Sequence, residues 1–570
     1  MKKMSQYTVL SPWATSEART PIGLSERLDT LSGKKIGLYA HFKGHAIKIL
    51  DVVAHELKKQ YQDLEFTHFQ YTKDITEIID DEEWSVKAAE WAKGCDAIIT
   101  AYGDAGSCSM YLAKNAAFFE KQGKPTVDLL CDSFINSTKR GVSSQSVPGL
   151  RFVAFAFGDL SGEHVIDDAL MNRVVLPEVQ LHLQEIIDAL TAPLTEEEQN
   201  PQPTKDYSSL TITGTVEEIS EQFYKYGWTT GLPVIPPTRE AVDEMLKGTD
   251  LAPDTVLGRI PTMNGLATVE KVAINAVMAG CLPTYMPVLI AAVKGMLAPN
   301  IQLPGWVCSN ANWMPCIFVN GPVTRDLNIH SGRAILSPYY KPNVTIPRAL
   351  SYIVMNIGGV RQGQEDMSAM GCVGRMGICI AENEEESPWK PLHTRYGFEA
   401  EDSAVTMFWP ADVQTLGGGL GGAPTIANML DAMCKVKTFG WFTGGVFILA
   451  PNIAKMFADA GWDQQRIMDY VIEYNRVPGD EWNLRWMRES HHDPHTAGIR
   501  VDLPEYGHYS TRRFWNDDHM FVVVAGAQWG CAITGGGDHG GPSCTKIELP
   551  KNWDELVEKY KDVKPEYLDY

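Results

Sequence analysis

A single cysteine, Cys108, is the residue of this sequence best placed to do chemistry. It follows an apolar run from Ala97 to Ala101 after a short turn that holds Gly103 and Gly106, and helix-forming residues come next. The glycines permit a tight turn, and the first N–H groups of a helix have no partners within the helix. The sequence therefore predicts that Cys108 lies at the start of a helix, beside N–H groups that can bind a ligand.

Two kinds of chemistry follow from that position. The positive end of a helix favours a thiolate and should lower the pKa of Cys108, and the same N–H groups can bind a carboxylate or a developing oxyanion. Cys108 is thus a candidate nucleophile or acid–base group, with Asp104 and Cys131 as candidate partners in proton transfer. The residues expected around the substrate are Gly103, Gly106, Ser107 and Ser109. The alternative is that Cys108 only packs against the sheet as a small buried thiol.

Polar side chains beside apolar strands in the second half of the chain form further candidate sites. Asn and Arg can bind a small carboxylate, and a Glu enclosed by Pro and Trp can have a raised pKa and act as an acid or base. The candidates for substrate binding are Asn310, Asn320, Asn328, Arg333, Asp538 and His539, and the candidates for acid–base catalysis are Glu382 and His330. Turn and cap chemistry explains the same residue types equally well.

The one dense group of histidines comprises His491, His492 and His495. Imidazoles suit zinc or a non-haem metal, but Pro494 breaks the helix that would stack His491 over His495. The sequence therefore assigns no metal ligand, and it leaves the cofactor unspecified.

The elements that must position Cys108 alternate between strand and helix, with short links between them. Apolar runs predict strands, and amphipathic runs predict helices. The predicted strands are Lys34–Tyr39, Leu64–Tyr71, Ala97–Ala101 and Thr126–Leu130, and the predicted helices are Ile47–Gln60, Trp84–Lys93 and Leu112–Gln122. The alternation predicts an α/β fold with a Rossmann-like parallel sheet, in which ligands sit beyond the carboxyl ends of the strands.

A polar, proline-bearing segment divides the chain. We predict a Rossmann-like first domain over residues 1–191, a linker over residues 192–208, and a larger mixed α/β (α+β) domain over residues 209–570. The change in composition at this segment, from regular alternation to many Gly, Pro, Asn and Trp residues, supports the boundary.

The second domain shows a weak internal similarity. Phe318–Pro322 resembles Phe447–Pro451, and Phe521–Gly526 is a further candidate copy, which suggests a divergent repeat. A proline-fixed loop, Gly227–Thr238, either lines a pocket or crosses a domain junction. The clearest predicted elements here are the helices Val269–Ala279 and Tyr285–Leu297 and the strands Cys316–Asn320, Val446–Ala450 and Phe521–Ala525.

Composition excludes several classes of partner. The 570 residues carry a formal net charge of −21, without a basic block, so neither nucleic acid nor an anionic membrane is expected as a partner. No signal peptide is visible, and the most apolar segments, such as Met286–Met296 and Phe442–Pro451, are too short to cross a bilayer. The eleven cysteines include no C-x-x-C pair and indicate reduced thiols. We expect a cytoplasmic protein with a small-molecule substrate, and the Gly-rich apolar turns suggest a homo-oligomer.

The cysteine loop resembles the UGSC family, whose motif is selenocysteine (or cysteine)-Gly-Ser-Cys. Gly106, Ser107 and Cys108 match the last three positions, whereas Ala105 stands at the first. The segments that extend the likeness are Gly33–Leu38, Phe119–Thr126, Gly227–Thr238, Val319–Pro322, Asn328–Gly332 and Ala381–Trp389. A redox pair within the loop cannot form with Ala105, so the resemblance implies chemistry of a single thiol. More distantly, the loop resembles the aspartate/glutamate racemases, which use one cysteine from each of two similar halves.

Three functions fit these observations. The first is a cysteine-dependent enzyme that acts on a small carboxylate-bearing metabolite by thiol transfer, C–S cleavage or addition–elimination through Cys108. The second is racemase-, isomerase- or decarboxylase-like carbanion chemistry, which a second cysteine opposite Cys108 would favour. The third is a degenerate N-terminal binding module, with the activity in the second domain or in a partner subunit.

Overall fold

A computed structural model describes residues 5–16, 20–73, 77–158, 160, 167–203, 205–310, 314–371, 376–416, 424–436, 443–478, 510–512, 519–536 and 541–566. The first part of the chain forms a parallel sheet of five strands, as its apolar runs predict. These strands are β2 Lys35–Ala40, β3 Glu65–Gln70, β4 Ala97–Gly103, β5 Thr126–Cys131 and β6 Arg151–Phe155.

The strand order of this sheet is β3-β2-β4-β5-β6, and every neighbouring pair is parallel. The chain therefore winds outward in both directions from the β2/β4 pair, which makes this pair the topological switch point. Connections on the two sides of such a point diverge and leave a crevice at the carboxyl ends of its strands. Position in the sheet alone thus marks the ends of β2 and β4 as the place for a ligand.

Helices cover both faces of the sheet. They are α1 Gly44–Gln60, α2 Glu82–Lys93, α3 Gly106–Lys121, α4 Ile135–Ser144, α5 Asp168–Leu170, α6 Leu176–Thr191, which continues α5 through a π-helical turn, and α7 Glu196–Gln199. One face packs against α1 and α6, and the other buries aromatic side chains of β2, β3 and α2. The helix α3 is buried along nearly its whole length, because the second part of the chain covers its outer side.

The N-terminal strand lies with the second part of the chain. The strand β1, Tyr7–Leu10, pairs antiparallel with β7, Thr211–Gly214, and Val9 is fully buried in the large core of the second part. Residues 192–203 pack back on the first part, where Arg151 binds Glu198 at 2.7 Å. The chain thus crosses between the two parts more than once.

The second part is mixed α/β. Its helices are α8 Val216–Lys225, α9 Arg239–Leu246, α10 Val269–Ala279, α11 Met286–Met296, α12 Leu303–Cys308, α13 Val323–Asp326, α14 Lys341–Asn356, α15 Ile426–Cys434, α16 Pro451–Asp459, α17 Gln464–Tyr474 and α18 Trp553–Tyr560. Its further strands are β8 Val256–Ile260, β9 Gly265–Thr268, β10 Cys316–Asn320, β11 Ile378–Ala381, β12 Ala404–Phe408, β13 Asp412–Leu416, β14 Thr443–Leu449, β15 Arg476–Pro478, β16 Ser510–Arg512, β17 Met520–Val524, β18 Gly530–Gly536 and β19 Ser543–Lys546.

Two four-stranded sheets of the second part share one topology. Their orders are β11-β10-β12-β19 and β17-β14-β18-β13, each with one parallel pair followed by two antiparallel pairs. The fourth strands are exchanged, because β13 follows β12 in the chain but joins the sheet of β18, and β19 follows β18 but joins the sheet of β12. The segments Phe318–Pro322 and Phe447–Pro451 fall at equivalent places, whereas Phe521–Gly526 falls on the strand equivalent to β11. A duplicated origin stays a prediction.

Buried polar contacts join the two parts. The Lys114 ammonium on α3 binds Glu77 at 2.7 Å and the carbonyl oxygen of Thr262 at 3.0 Å. Nearby, Arg140 on α4 lies 2.9 Å from Glu365. Separating the parts would remove the Thr262 acceptor of Lys114 and the Glu365 partner of Arg140, so the interface is specific.

The predicted fold class is confirmed: the protein is α/β, with a Rossmann-like parallel sheet at the N-terminus and further mixed sheets after it. The predicted elements of both parts match observed ones, with ends that differ by a few residues. No helix among the described residues has the length and apolar character needed to span a membrane.

Candidate functional site

Glycines let α3 start against both the sheet and the second part of the chain. A Cβ at Gly103 would lie 2.8 Å from Ser109 Oγ, and a Cβ at Gly106 would lie 2.2 Å from the carbonyl oxygen of Cys308. The Gly106 N–H donates to Asn310 Oδ1 at 2.9 Å. The second part of the chain therefore caps the helix that carries the cysteine.

Cys108 meets His41 and Asp104 in a buried cluster at the switch point. One side-chain atom from each of the three residues lies within 4.8 Å of the other two, and Cys108 is only 5% exposed. His41 follows β2, and Asp104 follows β4, the strand beside β2 in the sheet. The adjacent carboxyl ends of these strands bring the three side chains together.

Asp104 is held by two basic side chains from the β2–α1 turn. Lys43 Nζ lies 2.7 Å from Oδ1, and His45 Nε2 lies 2.7 Å from Oδ2, with all three side chains buried. Burial alone would raise the pKa of Asp104, but Lys43 and His45 hold it well below its usual range. Asp104 is therefore ionised, and because a carboxylate only accepts hydrogen bonds, His45 must carry its proton on Nε2.

His41 presents a neutral imidazole to the cluster. Burial lowers its pKa to about 3, although the negative charge of Asp104 opposes the shift. Its Nδ1 accepts a hydrogen bond from the Lys43 N–H at 3.2 Å, so the proton of the neutral ring is on Nε2. That Nε2 is buried and has no hydrogen-bond partner among the described residues. His41 is thus a hydrogen-bond donor toward an anion, and a poor base.

The same three side chains could bracket a metal ion by distance alone. However, both oxygens of Asp104 already accept hydrogen bonds from Lys43 and His45, and the Lys43 ammonium would repel a cation. The charges of the cluster therefore favour an anion beside Cys108 over a metal ion.

The other residues predicted at this loop are buried around the cluster. Ser107 is 2% exposed, and Ser109 Oγ, which faces Gly103, has no hydrogen-bond partner among the described residues. Cys131 lies in the core of the first sheet, and its thiol points to Asp132 at 3.6 Å. Burial raises the pKa of Cys131. Cys131 is thus a core thiol at this site.

Asn320 and Glu382 form a second buried group, at the ends of β10 and β11. The Asn320 amide donates to Glu382 Oε2 at 2.6 Å and to Glu384 Oε1 at 2.9 Å. Burial raises the pKa of Glu382 to about 7, while the Leu392 N–H and the Asn320 amide oppose the shift. Glu382 thus has the raised pKa expected from the sequence. Its hydrogen bonds are with Asn320 and with the Leu392 N–H, and not with the cysteine cluster.

His330, Asn328 and Arg333 are not part of the cysteine cluster. His330 stacks on Tyr340 with ring centroids 3.8 Å apart, and its Nε2 bonds the carbonyl oxygen of Arg333. Asn328 has a positive φ of 53°, which an Asn tolerates in a turn. Arg333 is exposed. Asp538, His539, His491, His492 and His495 lie outside the described residues.

Sequence reasoning missed His41, Lys43 and His45. The signal was present, because the segment His-Phe-Lys-Gly-His follows the predicted strand Lys34–Tyr39 directly. Only the strand order shows that this segment adjoins the end of β4, since chain order alone does not say which strands are neighbours.

Comparison with known proteins finds one family match, which covers the first part of the chain. Residues 8–184 match the model of the UGSC family. A search of curated proteins finds no match to the chain.

The UGSC domain, residues 8–184, contains the whole five-stranded sheet and the cysteine cluster. Ala105, at the position where the family resemblance places selenocysteine or cysteine, is the N-cap of α3 and has extended backbone. The thiol brought near this helix start is instead Cys308, from outside the UGSC domain, which packs beside Met110 and Tyr111. Burial raises the pKa of Cys308, so it is a neutral thiol.

Proposed function

We propose that the protein is a cysteine-dependent enzyme that acts on a small carboxylate-bearing metabolite, with Cys108 as the nucleophile. The observation that carries the proposal is the buried cluster of Cys108, His41 and Asp104 at the switch point of the sheet. Thiol transfer, C–S cleavage and addition–elimination all begin with attack by such a thiolate.

Each member of the cluster has a role in this proposal. The start of α3 and the nearby Lys43 ammonium stabilise negative charge on Cys108. The Nε2–H of His41 donates to that charge, or to the oxyanion that forms when the thiolate adds to a carbonyl. Asp104 neutralises Lys43 and fixes the β2–α1 turn. Burial excludes water, which strengthens these interactions.

The rate at which iodoacetamide alkylates Cys108 tests the proposal. We expect alkylation of the intact protein to have its midpoint below about pH 8.5, the reference for a free thiol. Site occupancy is read by mass spectrometry, with Cys108→Ser as the blank. A Cys108 that reacts only above that pH, or only after unfolding, would contradict the proposal.

Other thiols of the chain serve as internal controls. Cys434 and Cys544 are partly exposed, and burial raises the pKa of each to about 11. They should react more slowly than Cys108 at pH 7 although they are more accessible. His41→Asn should slow Cys108 and leave both reference thiols unchanged.

A second candidate is carbanion chemistry, because a second thiol, Cys308, lies beside the start of α3. In a racemase-like reaction one cysteine removes the α-proton and another delivers a proton from the opposite side. The carbanion mechanism predicts exchange of solvent deuterium into the α-carbon of its substrate, which a panel of amino acids and 2-substituted acids can test. This exchange distinguishes the carbanion mechanism from nucleophilic attack by Cys108. Exchange that Cys308→Ala abolishes, with Cys108 alkylation intact, would favour this candidate.

We also propose that the protein works in the cytoplasm, as a homo-oligomer. The nine cysteines whose side chains the structure describes are free thiols, as a reducing compartment would keep them. Sedimentation equilibrium of the purified protein measures the oligomeric state directly.

A further inference from the structure

A large cavity lies in the second part of the chain, and Cys108 is not among the described residues that line it. Its volume is about 810 Å³, a size typical of sites for small ligands. Its walls come from the loop after α8, from α14, and from residues 360–371. The apolar lining includes Val307, Val354, Met376 and Trp409.

A loop singled out in the sequence lines this cavity. Gly227, Thr229 and Thr230, from the proline-fixed segment Gly227–Thr238, face it together with Ser351 and Ser368. These hydroxyl groups stand among apolar walls. The cavity therefore has the composition of a site for a ligand with an apolar body and a few polar atoms.

Arg361 is the only cationic side chain among the described residues that line the cavity. Its Nη1 donates to the carbonyl oxygens of Met355 and Val360, and its guanidinium lies 4.8 Å from the centre of the Trp13 ring. Burial lowers the pKa of Arg361 to about 10, while Glu365 opposes the shift, so it is charged at neutral pH.

One nitrogen of the guanidinium is without an acceptor among the described residues. Nη2 is buried and has no hydrogen-bond partner there. Nε and Nη2 form the edge that binds a carboxylate with two parallel hydrogen bonds. Gly227 keeps this edge uncovered, because a Cβ there would lie 3.0 Å from Nε.

The neighbouring carboxylate of Glu365 is already engaged. Glu365 Oε2 accepts from the backbone N–H of Arg361, and its Oε1 lies 2.9 Å from Arg140 Nε. Asp366 also lines the cavity and accepts from the Ser368 N–H and hydroxyl. With one arginine and one aspartate in its described lining, the cavity favours a ligand with one negative charge over a ligand with two.

We propose that this cavity binds a small monocarboxylate with an apolar body, and that the Nε–Nη2 edge of Arg361 takes its carboxylate. The site is separate from the cysteine cluster and does not depend on the proposed reaction. The two lie on opposite sides of one wall, because Val307 and Asp366 line the cavity while their neighbours Cys308 and Met367 contact Gly106.

Calorimetric titration with matched probes tests the site. The probes are octanoate, 3-phenylpropanoate, 4-phenylbutanoate and indole-3-acetate, each paired with its primary amide. We expect at least one acid to bind about tenfold more tightly than its amide, since a charge-assisted bidentate contact discriminates by about that factor. If no acid outcompetes its amide in the unmodified protein, the proposal is wrong.

Three variants locate the binding. Arg361→Gln should bring the ratio of acid to amide affinity to about one, and a preference that persists would overturn the proposal. Ala369→Trp, at an exposed lining residue, should weaken acid and amide together, and it decides the matter if Arg361→Gln does not fold. Arg173→Gln, an exposed arginine of the UGSC domain, is the control for net charge.

The proposal for the Arg361 cavity and the proposed function of Cys108 can be tested independently of each other. Cys108→Ser should leave the titration unchanged, because Cys108 does not line the cavity. Cys108 alkylation in turn should be normal in Arg361→Gln.

Discussion

Asp104 organises the cysteine cluster through a buried ion pair. Its two oxygens take Lys43 and His45, each at 2.7 Å, and neither the carboxylate nor the His45 ring is exposed. Removing one member of a buried pair leaves the other charge without compensation, which costs more than removing both. Because of this asymmetry, single and double variants can measure the interaction energy between Asp104 and Lys43.

Asp104→Asn should lower the free energy of unfolding by about 3 kcal/mol at pH 7, because Lys43 loses its counter-charge in a buried site. Adding Lys43→Met to Asp104→Asn should restore at least about half of that loss. Urea denaturation of the two single variants and the double variant gives the coupling. Equal losses for Asp104→Asn with and without Lys43→Met would show that the pair does not act as a unit.

The lowered pKa of Asp104 fixes the sign of its pH dependence. Its stabilising contribution is complete above the unfolded pKa of about 3.9 and is lost as the pH falls from there through the lower folded value. The contribution of this pair should therefore be constant from pH 5 to pH 8.

His41 should make the protein less stable in mild acid. The unfolded ring takes up a proton below about pH 6.5, whereas burial keeps the folded ring neutral down to a pKa of about 3. Each pH unit below 6.5 should therefore cost the unmodified protein up to about 1.4 kcal/mol more than it costs His41→Asn, whose amide keeps an acceptor for the Lys43 N–H. Urea denaturation from pH 7 to pH 4.5 measures the difference.

Two comparisons isolate the effect of His41. Burial raises the pKa of Glu382 to about 7 and that of Asp128 to about 8, and both shifts act in the opposite direction in this range. Both shifts are present in His41→Asn and in the unmodified protein. They therefore cancel when the pH dependence of one protein is subtracted from that of the other. His68→Asn, at an exposed histidine, should leave the pH dependence unchanged.

At the scale of elements, the site depends on how closely α3 approaches its neighbours. Gly106 opens the helix directly against the backbone of Cys308 and the side chain of Met367, with a distance of 2.4 Å from an added Cβ to Met367 Cβ. The backbone of Cys308 cannot retreat without moving α12, so the two parts of the chain fix the start of α3 between them.

Gly106→Ala should lower the free energy of unfolding by about 1–3 kcal/mol and change the alkylation rate of Cys108, since the added methyl group displaces the helix start. Gly158→Ala is the matched control, because nothing lies within 4 Å of an added Cβ there. Thermal and urea denaturation compare the two. Equal effects of Gly106→Ala and Gly158→Ala on stability and on Cys108 alkylation would contradict the close contact at the helix start.

At the scale of the molecule, the two parts should unfold together. Lys114 bridges Glu77 and Thr262 without exposure to water, and β1 ties the N-terminus to the second core. Opening the interface would remove the Thr262 acceptor of Lys114 and expose the apolar side of α3 that the second part covers. A state with one part folded and the other unfolded is therefore unfavourable.

Pulsed thiol labelling across a urea series tests this cooperativity. Cys95 lies in the core of the first sheet, and Cys379 lies in the large core of the second part. Both become reactive only on unfolding, and we expect their midpoints to agree within about 0.5 M urea. Midpoints further apart would show that the parts unfold separately.

The sequence by itself determined the first sheet and the place of Cys108. Alternating apolar and amphipathic runs predicted β2 to β5 and α1 to α3, because local periodicity follows from burial on one face of each element. It also placed Gly103, Gly106 and Cys108 at a helix start, since backbone constraints on the turn are local. The fifth strand β6 and the pairing of β1 with β7 have weaker patterns and were not predicted.

Only the tertiary structure decided which side chains meet. His41, Lys43 and His45 join Cys108 because β2 and β4 are neighbours in the sheet, and Asn310 joins it across the interface from far along the chain. Chain order does not specify strand order or the packing of two domains, since both depend on contacts between distant segments. The same reason separated His330, Arg333 and Glu382 from the cysteine and placed Arg361 in a cavity of its own.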